Sequence, residues 1–244
     1  MRVVSYNIHK GIGGRDRLYR IERVVSVIEQ LEPDVVCLQE VDHNVRRSGF
    51  DDQPRLLAGR LNAIAHVYQT NVHLKSGGYG NLILSGWPLL SKHHISLRLN
   101  SKKPRGAQIV VVDSPQGPVR LVNWHLGLSE RERAWQVNHL LGHTLFHETN
   151  ELPTLIIGDF NDWRNRLKGI PFAEHGFEQI THPPSRFRSF PAYLPLGSLD
   201  KAFYRGGLQI KRAFIAHSPL ARRASDHLPL VVDFDVTDNG SAAP

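Results

Sequence analysis

LIIGDFNDW, residues 155–163, begins as a buried strand and ends as something else. Leu155, Ile156 and Ile157 are β-favouring, and Pro153 and Gly158 punctuate the run at either end. Asp159, Asn161 and Asp162 follow directly, so a strand leaving the core carries polar side chains to its tip. Taken alone, an Asp or Asn in that place is a turn former capping its own backbone. A functional reading needs the same pattern elsewhere in the chain.

Working outward, RVVSYN (2–7), DVVCLQE (34–40), GNLILS (80–85), AQIVVVD (107–113), VRLVNWHL (119–126) and HLPLVVDFDV (227–236) read as strands. Between the first two, LYRIERVVSVIEQLEP (18–33) has apolar residues at 18, 21, 25 and 28, which is helical spacing closed by Pro33. SERERAWQVNHLLGHTLFHETN (129–150) predicts a second helix, with Ser129 as N-cap, Glu132 completing a capping box, and apolar spacing at 134, 137, 141 and 145. No linker or repeat interrupts the series. The expectation is one domain over 1–236, with sheets packed between helices, and a flexible tail at 237–244.

Composition bounds the partners. The chain has 244 residues, 30 Lys and Arg against 23 Asp and Glu, and a net charge of +7, so a polyanionic partner fits. A single cysteine, Cys37, excludes an internal disulfide, and its apolar setting predicts an inert buried thiol. There is no basic and apolar leader and no apolar run long enough to span a bilayer as a helix. A cytoplasmic, soluble protein is the expectation.

The strand ends then repeat the opening pattern. RVVSYN ends in Asn7, DVVCLQE in Gln39 and Glu40, VRLVNWHL reaches His125, LIIGDFN ends in Asp159 and Asn161, and the last strand is preceded by Asp226 and His227. One at a time these are turn formers, solvated charges or satisfied core imidazoles. Together, carboxylates, amides and imidazoles at successive strand ends are what a hard cation and a general base require.

SYNIH, DVVCLQEVD, GYGNLILS, PRGAQ, VNWHLG, IIGDFND, GSLDKAF and ASDHLPLVVDF, in this order, resemble the endonuclease/exonuclease/phosphatase superfamily of metal-dependent phosphoesterases, over about residues 2–235. The resemblance implies a four-layer α/β/β/α sandwich of two mixed β-sheets flanked by helices, with the active site at strand ends on one edge. It also implies Mg²⁺, with Mn²⁺ as a substitute, held by Glu40 as principal ligand with Asn7 and Asp226 supporting. Asp159 would position or deprotonate the attacking water, and Asn161 would donate to the phosphate. His227 would contact the scissile phosphate or act as base, oriented by Asp200, with His125 as a second active-site histidine. Asn81 and Tyr79 would lie on the substrate side, and Arg105 would brace the site or face the phosphate. The chemistry asks for such a set: an anionic phosphodiester under attack needs its charge offset, its water aimed and its developing charge met by fixed donors.

Basic residues flank these motifs, Arg222 and Arg223 just before Asp226 and Arg164 and Arg166 after Asp162. Interleaved with Trp163, Phe187, Phe190 and Tyr193, they fit a groove for a phosphate backbone and stacked bases. Trp163 is either rim packing or such a stacking surface, and Asp162 has no assigned role. A nuclease acting on nucleic acid, DNA before RNA, is the leading expectation. GSLDKAF differs from the aromatic-rich segment of the abasic-site enzymes, and His9 stands where several nucleases carry an acid. An enzyme of phospholipid or inositol-phosphate headgroups at an anionic lipid surface is the alternative. A binding module without catalysis would lack Glu40, Asp159, Asp200 or His227, and none is missing. The segment THPPSRFRSFPAYLPLG (181–197) discriminates: a basic aromatic loop favours nucleic acid, an exposed apolar tip of Phe190, Tyr193 and Leu194 a membrane.

Overall fold

The computed structural model describes residues 1–237; the expected tail, apart from Thr237, lies outside the described residues. The strands are β1 (Arg2–Asn7), β2 (Val35–His43), β3 (Ala65–His73), β4 (Gly78–Ser85), β5 (Leu89–Ser96), β6 (Gly106–Ser114), β7 (Gly117–His125), β8 (Thr154–Asp159), β9 (Glu178–Gln179), β10 (Asp200–Arg205), β11 (Leu208–Ile215) and β12 (Leu230–Val236). The helices are α1 (Ile21–Leu31), α2 (Gln53–Arg60), α3 (Glu130–Leu141), α4 (Thr144–His147), α5 (Ile170–Glu174) and α6 (Ala221–Ala224). Two six-stranded sheets form, in the orders β11-β12-β1-β2-β4-β3 and β5-β6-β7-β8-β10-β9. Both are mixed, because β1 pairs parallel with β2 and β7 parallel with β8 while the remaining pairs are antiparallel.

Strand periodicity builds the layers. In β8, Leu155 and Ile157 face the other sheet and share its core with Val3, Val36 and Leu38, whereas Ile156 faces outward into a second cluster with Val137, Leu140 and Phe172 of the helices. Strands covered on both faces carry unbroken apolar runs, which is why the central ones were readable in the sequence. α1, α2 and α6 cover the first sheet, and α3, α4 and α5 the second. The result is the expected four-layer sandwich.

Three local readings change. Gly158 does not end β8 but lies inside it, paired with Lys201, and only glycine fits there: a Cβ would come 2.2 Å from the Trp124 carbonyl oxygen of the neighbouring strand. Ser129 does cap α3, accepting from the Glu132 amide at 3.3 Å, but the helix stops at Leu141 and restarts at Thr144. Its buried face is also more polar than the apolar spacing implies: Gln136 accepts from the Gly127 amide and donates to the Leu97 carbonyl, and Arg133 donates to the Leu128 carbonyl. α3 thereby braces the loop that follows His125.

Between the sheets, just below the edge, lies a buried amide network. Gln39 donates to Asn123 Oδ1 at 2.8 Å and to Ser5 Oγ at 3.2 Å, and Asn123 donates to the Leu38 carbonyl and to Gln108 Oε1, each at 3.0 Å. Hydrogen bonds that cross between sheets set their register as apolar contacts do not.

Candidate active site

The C-terminal ends of β1, β2, β7 and β8 meet the N-terminal ends of β4, β6 and β10 along one edge of the sandwich. Two of the site residues stand on strained backbone. Glu40 has φ +58°, at a bulge where Gln39 and Glu40 together oppose Asn81 of β4. The bulge turns the carboxylate out of the alternation and toward the other sheet. Asn161 has φ +50°, and its amide N–H is held at 2.9 Å by Asp159 Oδ1.

Asp159 is the hub and is almost completely buried. Its Oδ2 accepts from Asn7 Nδ2 at 3.0 Å and faces His125 Nε2 at 3.4 Å and His227 Nε2 at 3.7 Å. On its other nitrogen, His227 meets Asp200 Oδ2 at 2.8 Å, and Asp200 also accepts from the Ser189 hydroxyl. Ser225 ties the segment before β12 to the end of β1, donating to the Asn7 carbonyl at 2.7 Å. Six of the residues expected from the sequence are therefore assembled: Asn7, Glu40, His125, Asp159, Asp200 and His227.

Electrostatics divides their labour. Burial pushes the Asp159 carboxyl up to about 6, opposed mainly by the charge of His227. For His227 burial works downward, but the charges of Asp200 and Asp159 override it and raise the imidazole to about 10. Burial, reinforced by the charge of Arg105, drives His125 well below the usual imidazole range, so its ring is neutral. His227 is thus held as a cation and donor, and Asp159, poised near neutrality, is placed to accept a proton. Of the two bases open from the sequence, the geometry favours Asp159.

The oxygen donors for a divalent cation centre on Glu40. Burial alone would raise its carboxyl, yet the charge of Lys10 holds it well below the usual carboxylate range. Lys10 Nζ contacts Glu40 Oε2 directly, so the protein already places positive charge against this group. Asn7 Oδ1 accepts from the His9 amide at 3.1 Å, and Asp226 Oδ2 lies 3.7 Å from His9 Nε2. Among the described residues no three His, Cys, Asp or Glu side chains form a metal cage. A donor set of one buried carboxylate with weaker oxygen neighbours suits a hard divalent cation that keeps several of its waters.

Other expected residues fall differently. Asn161 Nδ2 donates to the Leu126 carbonyl at 2.9 Å, leaving one N–H for a phosphate. Asn81 donates to the Gly106 carbonyl at 2.9 Å, bridging the two sheets. Tyr79 is buried, with Arg47, Lys103 and Lys10 at 5.0, 5.3 and 5.7 Å from its ring centroid. Arg105 is buried beside His125. Asp162 is a loop cap, accepting from the Arg166 and Leu167 amides at 3.1 and 2.9 Å. Arg222 and Arg223 are exposed on α6, with no carboxylate paired to either among the described residues. Lys10 and Ser189 were not legible as site residues, and only the Asn-Ile-His-Lys turn hinted at the first: His9 and Lys10 both have positive φ, 46° and 65°.

The segment 181–197 carries both features set against each other above. Arg186 and Arg188 are exposed, and so are Tyr193, Leu194 and Leu196 at 52, 58 and 61 %. Phe190, expected at the tip, is instead half-buried, edge-on to Trp163 at 5.8 Å and 4.9 Å from the His227 ring. Trp163, 57 % exposed, packs on Phe190, which in turn adjoins the His227 imidazole.

Comparison with known proteins agrees with this architecture. The chain is 29 % identical over 250 residues to the protein YbhP of Escherichia coli, covering 94 % of each. Among solved structures, an endonuclease/exonuclease/phosphatase from Beutenbergia cavernae superposes with a TM-score of 0.82 at 23 % identity, covering all of this chain and 73 % of that one. A mannosyl-6-phosphatase from Bacteroides thetaiotaomicron superposes at 0.73 with 15 % identity, covering 96 % of this chain and 99 % of that one. The model of the Endonuclease/Exonuclease/phosphatase family matches residues 4–227, and the chain belongs to that family of phosphoester hydrolases.

Proposed function

We propose that this protein is a Mg²⁺-dependent phosphodiesterase acting on phospholipid or inositol-phosphate headgroups. The observation that carries the chemistry is the convergence on Asp159 Oδ2 of Asn7, His125 and His227 beside the bulged carboxylate of Glu40. Glu40, with Asn7 and Asp226 as supporting oxygen donors, would hold the divalent cation, which would supply positive charge to the phosphate. Asp159 takes the proton of the attacking water. His227, kept protonated by Asp200, meets the developing charge on the phosphate or its leaving oxygen, and the remaining N–H of Asn161 and the neutral His125 ring complete the donor set. The exposed apolar residues Trp163, Tyr193, Leu194 and Leu196, in the loops joined to His227 through Phe190, support an amphiphilic substrate.

A second reading, a DNA endonuclease, is supported by the exposed Arg164, Arg186, Arg188, Arg222 and Arg223. One set of assays separates them: release of headgroup from phosphatidylglycerol and phosphatidylinositol vesicles, nicking of supercoiled plasmid, and turnover of bis(p-nitrophenyl) phosphate, each with Mg²⁺, with chelator and with Asp159→Ala. Vesicle hydrolysis lost in both controls supports the first reading, and nicking without it the second. Failure to hydrolyse even bis(p-nitrophenyl) phosphate refutes both.

A further inference from the structure

On the flank of the site opposite the apolar tip, where β3, β5 and β6 reach the same edge, a cleft of ≈ 480 Å³ opens beside Arg105. Its walls include Gln69, Asn71, Arg98 and Arg105. The volume is that of a small-molecule pocket. What distinguishes it is unsatisfied polarity: Gln69 Oε1, Asn71 Oδ1 and Arg105 Nε are buried atoms without a hydrogen-bond partner, and so is Asn81 Oδ1 on the adjoining strand. Gln69 and Arg105 are only 9 % and 6 % exposed. Native proteins pair such atoms, and several orphans around one cleft call for a ligand.

The charges make the same point. Around the Tyr79 ring, Arg47 is neutralised by Asp42 at 2.6 and 2.9 Å and Lys10 by Glu40. Lys103 and Arg105 have no paired carboxylate among the described residues. A buried guanidinium without a counter-ion is costly, and an anion brought by the substrate relieves it. Arg105 reaches the catalytic centre electrostatically, since its charge helps to keep His125 neutral. The cleft and the site are therefore joined through one residue.

The orphans specify the chemistry. Amide oxygens accept, so Gln69 and Asn71 need donors, and a phosphodiester at neutral pH has none. Arg105 and Lys103 need an anionic acceptor. We propose that the cleft is a subsite for a phosphorylated polyol, its hydroxyls donating to Gln69 and Asn71 and its phosphate lying against Arg105 and Lys103. This deepens the phosphodiesterase reading and rests on it for the scissile bond. The polyol could belong to a lipid headgroup or to the sugar of a nucleotide, which the test separates.

The experiment is isothermal titration of the full chain in chelator, with inorganic phosphate, glycerol 3-phosphate, inositol 1-phosphate and ribose 5-phosphate, on the wild type, Asn71→Leu and Lys103→Met. At least one polyol phosphate is expected to bind about 10-fold or more tightly than inorganic phosphate. Asn71→Leu removes that advantage, and Lys103→Met, an exposed change that keeps an unbranched stem near the Tyr79 ring, weakens every phosphate several-fold. Preference for glycerol or inositol phosphate identifies a headgroup source, and preference for ribose phosphate a nucleotide. Polyol phosphates no tighter than inorganic phosphate, or an advantage that survives Asn71→Leu, would overturn the proposal. Because no turnover is required, binding without hydrolysis refutes only the catalytic reading, and hydrolysis without polyol preference only the subsite.

Discussion

At the scale of residues, the site works by placing few charges where water does not screen them. His227 is held protonated chiefly against its burial by Asp200, so Asp200→Asn is expected to cut turnover by on the order of 100-fold or more. An imidazole raised to about 10 in the folded chain contributes stability that is full below its ordinary value near 6.5 and is lost as pH rises through 10. In Asp200→Asn that contribution shrinks, and an NMR titration should find His227 giving up its proton at much lower pH than in the wild type; an unchanged titration would remove Asp200 from its orienting role. Lys201, fully buried next to it, shows the opposite sign. Burial, partly offset by Asp162, lowers it from 10.5 to about 8. Below pH 8 it is charged in both states and the burial cost is constant, while between 8 and 10.5 the folded state releases its proton first and stability rises. Relative to Lys201→Met, the wild type should gain roughly 3 kcal/mol over that interval in denaturant titrations.

At the scale of elements, the machinery is divided between two sheets, and their register matters as much as the groups themselves. Glu40 stands on β2, His125 on β7 and Asp159 on β8; the Gln39–Asn123–Gln108 amides hold β2 against β7 and β6, and β8 is laddered to β7. Asn123→Leu takes one acceptor from the Gln39 amide and removes the donor to the Leu38 and Leu82 carbonyls and to Gln108 Oε1. It is expected to destabilise by about 2–4 kcal/mol in chemical denaturation and to reduce turnover, although the residue touches no substrate. Wild-type activity in a destabilised Asn123→Leu would show that the two sheets tolerate slippage. The strands missing from the sequence reading are instructive. β3, β5, β9 and β11 lie at sheet edges and β10 next to one, and the burial of β5 alternates with solvent along its length. Edge strands bury little and so carry no continuous apolar run, whereas β1, β2, β6, β7 and β8 do.

At the scale of the whole molecule, the polar cleft lies toward β3 and β6, and the apolar tip, with Arg164, Arg186 and Arg188 in the same loops, toward β8 and β10. No helix among the described residues is long and apolar enough to cross a membrane. Contact with a bilayer, on the proposed reading, is made by the tip, so Tyr193→Ser with Leu194→Ser should weaken vesicle binding by about 10-fold or more in sedimentation. Undiminished vesicle binding would return the tip to ordinary surface. The apolar runs and their polar ends determined by themselves that this chain is a layered α/β protein with a carboxylate, amide and imidazole site, because burial on both faces and chemistry at a strand tip both leave local patterns. Only the tertiary structure decided that Asp159 is buried between His125 and His227, that Lys10 meets Glu40, that Asp162 is a cap and that a polar cleft adjoins Arg105. Each depends on burial and on distances between residues far apart in the chain, and neither quantity is written in local sequence.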